Sequence, residues 1–166
     1  ADVEFSPVMF YSLKSNNKIF RAIASILPLF FRRKLSNLVT NSRIIEEPFI
    51  FQNLYLEKGA RILDIGCCYS KISLQLASLG HKVTGVDLSH YKYSHKNLKF
   101  LKIDFLKNSF PDNYFDCVIA VSTIEHIELD VYGGKLLKDG DKRTVDEVYR
   151  VLKTGSKFII TLPFGK

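Results

Sequence analysis

The sequence predicts an α/β fold built on a doubly wound, mostly parallel sheet. Short apolar runs of strand length alternate along the chain with stretches of helical period, and this alternation is typical of a parallel sheet covered by helices. Acidic residues close the first two runs, at Asp64 and Asp87. The later predicted strands are Leu98–Ile103, Cys117–Val121 and Lys157–Leu162.

Helices are predicted before the first strand and before the fifth. The segment Arg43–Leu56 has a helical pattern that we expect to be interrupted near Pro48, because proline removes a helical hydrogen bond. Thr144 and Glu147 are spaced as a capping box for the later helix, and Gly155 follows it as a C-cap. The predicted core face of that helix consists of Val145, Val148, Tyr149 and Leu152.

Residues 1–43 are predicted to form an N-terminal helical extension, and residues 44–166 a single globular unit. The apolar stretch Ile19–Phe31 is too short to span a bilayer, so no membrane span is expected. Because Arg32-Arg33-Lys34 follows it, two interpretations remain open. It is either a helical lid over a substrate site or an interfacial helix that contacts a membrane peripherally.

Composition predicts one domain in a reducing compartment. The chain has 166 residues, 46% of them hydrophobic, which is enough for a sizeable core. Its three cysteines lack the spacing of a metal site, so we expect free thiols, no bound metal and a cytoplasmic location. The net charge is +7, but the basic residues are scattered apart from residues 32–34. A solvated basic face is therefore expected, and nucleic-acid binding is the less favoured alternative.

The turn after the first strand predicts a site for a nucleoside-carrying ligand. Gly66 allows the chain to turn sharply, and the backbone amides that follow favour a carboxylate or phosphate. Asp87 ends the second strand, where an acid accepts hydrogen bonds from ribose hydroxyls. The dinucleotide fingerprint requires a second glycine where this chain has Cys68, which argues against a pyrophosphate. S-adenosylmethionine needs only an acid for its ammonium and amides for its carboxylate, which Asp64 and the turn could supply.

Five motifs resemble those of the class I S-adenosylmethionine-dependent methyltransferases. The first, residues 64–70, is similar to the family's acid-x-Gly-x-Gly-x-Gly, with Cys68 and Ser70 in place of later glycines. The third strand ends in Asp104-Phe105, and Ser122–His126 follows the fourth strand with a Glu-His pair. A proline turn at residues 110–116 and the phrase at residues 151–155 complete the set. The resemblance covers about residues 44–164.

The resemblance implies a strand order of 3-2-1-4-5, with S-adenosylmethionine at the carboxyl ends of strands 1 and 4. It implies that Asp104 bonds the adenine amino group and that Phe105 packs on the ring. The family continues with two further strands, which are absent here, so we expect the chain to be part of a longer one. If the chain is complete, its fifth strand is an exposed edge that favours a homodimer. The residues expected to bind the cofactor are Asp64, Gly66, Cys67, Cys68, Asp87, Leu88, Asp104, Phe105 and Ser122.

The expected reaction is methyl transfer to a small-molecule or glycan acceptor. No Asp/Asn-Pro-Pro-aromatic motif follows the fourth strand, which favours an oxygen nucleophile over a nitrogen. His126 is the candidate general base, although the Glu125-His126 pair could instead fix its loop. Residues 128–141 are expected to border the substrate. The alternatives are a non-catalytic methyltransferase-like binding module, an RNA methyltransferase and, least favoured because of the missing glycines, a nicotinamide oxidoreductase.

Overall fold

A computed structural model describes residues 43–127 and 139–162 of the chain. The predicted extension and its apolar stretch Ile19–Phe31 lie outside the described residues, as does most of the predicted substrate-bordering segment 128–141. Within the described ranges, no helix combines the length and apolar character needed to cross a membrane.

Five parallel strands form one sheet in the order β3-β2-β1-β4-β5, which confirms the predicted fold class and strand order. In the centre of the sheet, Ile65 lies beside Val86 of β2 and Ala120 of β4. The order of connections reverses between β1 and β4, and ligands of such sheets bind beyond the strand ends at that point. The strands are β1 (Arg61–Ile65), β2 (Lys82–Asp87), β3 (Leu98–Lys102), β4 (Phe115–Val121) and β5 (Leu152–Thr161).

Helices cover both faces of the sheet, and the alternation of β1 divides the core between them. The helices are α1 (Arg43–Asn53), α2 (Ile72–Ser78) and α3 (Gly140–Val151). Ile62 faces a cluster that includes Ile50 of α1 and Leu76 of α2. Leu63 and Ile65 pack into a second cluster, which includes Val148 of α3. Side chains alternate between the faces of a strand, so Asp64 occupies a core position on the face that Ile62 shares with α2.

Two predicted local features of the helices are wrong. The helix α1 continues through Pro48, because burial of Glu46 and Ile50 on its inner face holds the segment in place despite the lost hydrogen bond. The helix α3 begins at Gly140, so Thr144 lies inside it and donates from its hydroxyl to the Gly140 carbonyl at 2.7 Å. Side chains inside a helix cannot form a capping box, and Glu147 instead pairs with an arginine of the same helix.

The junction between α3 and β5 also differs from the sequence prediction. β5 begins at Leu152, directly after the helix, so Gly155 lies within the strand and is no C-cap. Its φ of +78° falls in an irregular stretch, where the register with β4 shifts between Phe115 and Cys117. The core face of α3 is narrower than predicted, because Val145 and Tyr149 are exposed.

Candidate functional site

The turn after β1 is held by a glycine that no other residue could replace without movement. Gly66 adopts φ +75°, and its N–H donates to the Val86 carbonyl at 2.8 Å. A Cβ added there would lie 2.3 Å from the Thr123 side chain, so the turn and the loop after β4 are in close contact. Thr123 is itself fixed, because its hydroxyl donates to the Val121 carbonyl at 3.0 Å. The point at which the strand order reverses is therefore closely packed.

Asp64 is a buried carboxylate directly before this turn. Only 1% of its surface is exposed, and it accepts a hydrogen bond of 2.5 Å from the Ser73 hydroxyl of α2. Burial raises the pKa of Asp64 to about 7; the Ser73 hydroxyl and the Arg43 guanidinium partly offset this, while Asp87 adds to it. A cation placed beside Asp64 would restore its charged form, which is what an ammonium group of a ligand would do.

Asp87 links the end of β2 to the turn after β1. One carboxylate oxygen accepts from the Cys68 N–H at 2.9 Å, and the other accepts from the Ser89 N–H at 2.8 Å. Each oxygen has a further lone pair, so the carboxylate can still accept hydroxyl donors. The exposed side chain of Leu88 follows it and offers an apolar surface beside these oxygens. The carboxylate is thus oriented before any ligand binds.

The two cysteines of the turn face different ways. Cys67 is fully buried, and its Sγ fills the space left by Gly85 of β2, where an added Cβ would lie 2.8 Å from the sulfur. Cys68 is half-buried, and its thiol donates to the Ser89 carbonyl at 3.2 Å. The atoms of Cys67, Cys68 and Asp87 that could bind a metal ion lie within 4.8 Å of one another. Sequence spacing could not reveal this group, because the fold supplies its carboxylate from another strand.

The predicted adenine-binding pair lies after β3. Asp104 caps the short 3₁₀ helix Phe105–Lys107, accepting from the Leu106 N–H at 3.0 Å, and it forms an ion pair with Lys107 at 3.8 Å. The ring of Phe105 is buried in the apolar cluster on the α3 face. The structure therefore places Asp104 just after the carboxyl end of β3, and the Phe105 ring, expected to pack on adenine, is only 5% exposed.

Ser122 is hydrogen-bonded to helix α1. This contact was not predicted from the sequence. The residue has a φ of +44°, and its N–H donates to both the carbonyl and the hydroxyl oxygen of Thr161, each at 3.0 Å. Its hydroxyl donates to Glu46, which also accepts from the Thr161 hydroxyl at 2.9 Å. Arg43 completes the group, with an ion pair to Glu46 at 3.5 Å and a hydrogen bond to the Val121 carbonyl at 3.2 Å.

The sequence does not predict that Glu46 is buried, because a glutamate on an amphipathic helix is normally solvated. The only available signal is the spacing of Arg43 and Glu46, three positions apart, which places them on one helical face. The structure shows no exposed surface on Glu46. Helix α1 therefore belongs to the site rather than to its surroundings.

The Glu125-His126 pair lies in the 3₁₀ helix that follows β4. The nearest approach is 4.0 Å, between His126 Nε2 and Glu125 Oε1. The other carboxylate oxygen of Glu125 is buried and has no hydrogen-bond partner among the described residues. Burial raises the pKa of Glu125. His126 is more exposed, so it is the member of the pair that a ligand in the cleft could reach.

These features define a Rossmann-like fold with a candidate nucleoside site at its carboxyl edge. Asp64, the Gly66 turn and Asp87 come together there, and the residues present fit S-adenosylmethionine. Asp87 is oriented with free lone pairs, and among residues 43–127 and 139–162 only Arg43 partly compensates the charge of the buried Asp64. The chain belongs to the class I S-adenosylmethionine-dependent methyltransferases, since residues 63–160 match the family described as a methyltransferase domain.

Similar proteins support the same family. The chain is 31% identical to the cycloartenol-C-24-methyltransferase of Arabidopsis thaliana over 124 residues, which cover 68% of this chain and 34% of that protein. It is 26% identical to phosphoethanolamine N-methyltransferase 2 of Haemonchus contortus, solved with S-adenosyl-L-methionine. That match has a TM-score of 0.57 and covers 71% of this chain and 27% of the other. The chain spans about a third of the length of the curated relatives it matches.

A third comparison concerns the fold alone. The methyltransferase solved with its Trm112 activator from Haloferax volcanii is 19% identical, with a TM-score of 0.59. The match covers 73% of this chain and 54% of that one. The sheet described above is therefore shared by methyltransferases that differ widely in sequence.

Proposed function

We propose that this chain forms the cofactor-binding part of a methyltransferase that acts on a small-molecule or glycan acceptor. The observation that carries the proposal is the meeting of Asp64, the Gly66 turn and Asp87 at one edge of the sheet. Asp64 would accept the ammonium of S-adenosylmethionine, the turn would receive its carboxylate, and Asp87 would accept the ribose hydroxyls. Asp104 and the backbone at Phe105 would contact the adenine.

Support for a small acceptor comes from the matched relatives, whose names specify cycloartenol, methylated at C-24, and phosphoethanolamine, methylated at nitrogen. We favour an oxygen of the acceptor as the methylated atom, because His126 lies exposed beside the cleft and could remove a hydroxyl proton. The bound cofactor supplies an activated methyl group on a good leaving group. The chain would align the acceptor so that its hydroxyl proton lies within reach of His126.

Calorimetric titration with S-adenosylhomocysteine tests the cofactor site. Asp87→Ala removes two acceptors for hydroxyl donors, and a hydrogen bond to a charged group contributes about 1.5–3 kcal/mol, so we expect affinity to fall about a hundredfold. Asp146→Ala, which removes an exposed carboxylate from α3, is the matched control and should bind as the wild type does. Unchanged affinity in Asp87→Ala would contradict the assignment of the ribose site.

The second candidate is a non-catalytic binding module with the same fold. It is favoured by one observation: the N–H and the thiol of Cys68 are both used within the protein, on Asp87 and Ser89. Cys68 stands where the family motif has a glycine, so its side chain occupies space that the glycine leaves open. The module hypothesis predicts no binding of S-adenosylhomocysteine by the wild type and measurable binding by Cys68→Gly. Tight binding by the wild type with a smaller change in the variant would eliminate this candidate.

A further inference from the structure

The amino edge of the sheet collects basic residues that are scattered in the sequence. Arg61 begins β1 and Lys82 begins β2, and the two are direct neighbours in the parallel pairing. Lys99 lies near the start of β3, paired with Thr84, and Lys96 precedes that strand. Parallel strands bring all their amino ends to one edge, so three segments contribute four cations to one surface. The sequence argument against clustered positive charge does not hold here.

These side chains line a cavity of about 320 Å³, which we call the amino-edge cavity. Among the described residues, none of the side chains that line it is acidic. Its polar lining consists of Arg61, Lys82, Lys96 and Lys99, with Thr84 and Asn97 between them. A concave surface lined by charges of one sign concentrates its electrostatic field and attracts ions of the opposite sign.

In the part of the protein that the structure describes, the charges of the three cavity lysines are not paired with a carboxylate, whereas Arg61 is attracted to Asp116. No ion pair among the described residues includes Lys82, Lys96 or Lys99, so these lysines have no carboxylate within 4.0 Å. The guanidinium of Arg61 lies 4.6 Å from the centre of the Tyr114 ring, which restricts its orientation. Asp116 is close by: it accepts from the Arg61 backbone N–H and pairs with Lys153, and the charge of Arg61 also attracts its carboxylate.

We propose that the amino-edge cavity binds the phosphate group of a small phosphorylated molecule. Arginine and lysine form strong charge-assisted hydrogen bonds to phosphate oxygens, and four of them line this cavity. Its volume lies at the lower end of the range of small-molecule sites, about 300–1,000 Å³. β2 spans six residues, so the cavity lies roughly 17 Å from the Asp87 end of the sheet. The site is thus separate from the cofactor site and does not depend on the proposed function.

Calorimetric titration of the whole chain with inorganic pyrophosphate tests the proposal. We expect saturable binding, and we expect Lys82→Gln/Lys99→Gln to weaken it about tenfold or more, because two charged donors are lost. Glutamine keeps much of the aliphatic stem, so packing is preserved. In amide spectra recorded by nuclear magnetic resonance, the shifts caused by pyrophosphate should be concentrated at residues 82–84 and 96–99.

The control Lys102→Gln/Lys142→Gln removes the same charge from exposed positions outside the cavity. It should bind pyrophosphate within about twofold of the wild type, since screening weakens distant charges. Three results would overturn the proposal. They are no pyrophosphate binding by the wild type, equal losses in the two double variants, and displacement of pyrophosphate by a single-stranded RNA 12-mer that binds more tightly. The last result would assign the surface to a nucleic acid.

Discussion

At β1 and β2, the two edges of the sheet carry opposite charge although the same strands build both. β2 begins at Lys82 and ends at Asp87, and β1 changes from Arg61 to Asp64 within a few residues. β3 carries lysines near both ends, Lys99 and Lys102, and the acid Asp104 follows it. Because β1 and β2 are parallel, their shared order of base before acid gives these two strands a basic amino edge and an acidic carboxyl edge. Strand direction, rather than composition, therefore decides where each kind of ligand could bind.

The largest effect is expected from a substitution in the turn at the acidic edge. Gly66→Ala adds a Cβ 2.3 Å from Thr123 at a φ of +75°, so clash and backbone strain combine. We expect the free energy of unfolding to fall by about 3–5 kcal/mol, measured by urea denaturation. Gly59→Ala is the matched control, because Gly59 has a φ of +87° but no atom within 4 Å of an added Cβ. It should lose only about 1–2 kcal/mol, and equal losses would show that contact with Thr123 is unimportant.

The next effect concerns the buried carboxylate that holds α1 against this edge. Glu46→Ala leaves the hydroxyls of Ser122 and Thr161 without their acceptor. We expect a loss of about 2–3 kcal/mol in the free energy of unfolding. Glu57→Ala, an exposed glutamate in the loop before β1, should change it by less than about 0.5 kcal/mol. If both variants unfold at the same urea concentration, the buried cluster contributes no net stability.

Proton uptake by Asp64 gives a smaller, pH-dependent effect. Its pKa is raised from 3.8 to about 7, so the stability it contributes is present below pH 4 and is lost as the pH rises through about 7. An ammonium-bearing ligand needs the charged form, so affinity for S-adenosylhomocysteine should fall up to about tenfold per pH unit below 7. Calorimetry between pH 5.5 and 8 measures this slope. Asp64→Asn should bind weakly with a flat profile, and a retained slope would assign the proton to another group.

The smallest effects are expected when a variant of one edge is titrated with the ligand of the other edge. Lys82→Gln/Lys99→Gln should bind S-adenosylhomocysteine within about twofold of the wild type, because the edges are separated by more than a Debye length at physiological salt. Asp87→Ala should likewise bind pyrophosphate almost unchanged. A tenfold change in either crossed titration would mean that the edges are coupled and would reject the picture of two independent sites.

Much of the fold could be predicted because its signals are local. The apolar runs before Asp64 and Asp87 are strands on both sides of a glycine turn, and the chain order of strands and helices restricts the topology. The predictions that failed depend on tertiary packing. Pro48 is accommodated because Glu46 and Ile50 are buried around it, which local propensity cannot anticipate.

The site was predictable to the extent that one segment encodes it. Asp64, Gly66 and Asp87 lie in one strand-turn-helix-strand unit, so their spacing alone places them at one edge. Glu46 and the amino-edge lysines come from segments far apart in the chain, and no spacing rule connects them. The contact of Glu46 with Thr161 joins residues 115 positions apart.

That separation has a consequence for the order in which a growing chain acquires structure. Glu46 leaves the ribosome 76 residues before Ser122 and 115 before Thr161, whose hydroxyls both donate to it. The turn at Gly66 and the acid at Asp87 can form early, while the anchor for α1 is still being translated. A nascent chain that has not yet reached Thr161 therefore holds an unfinished cleft, and ligand binding should begin only when that strand has emerged.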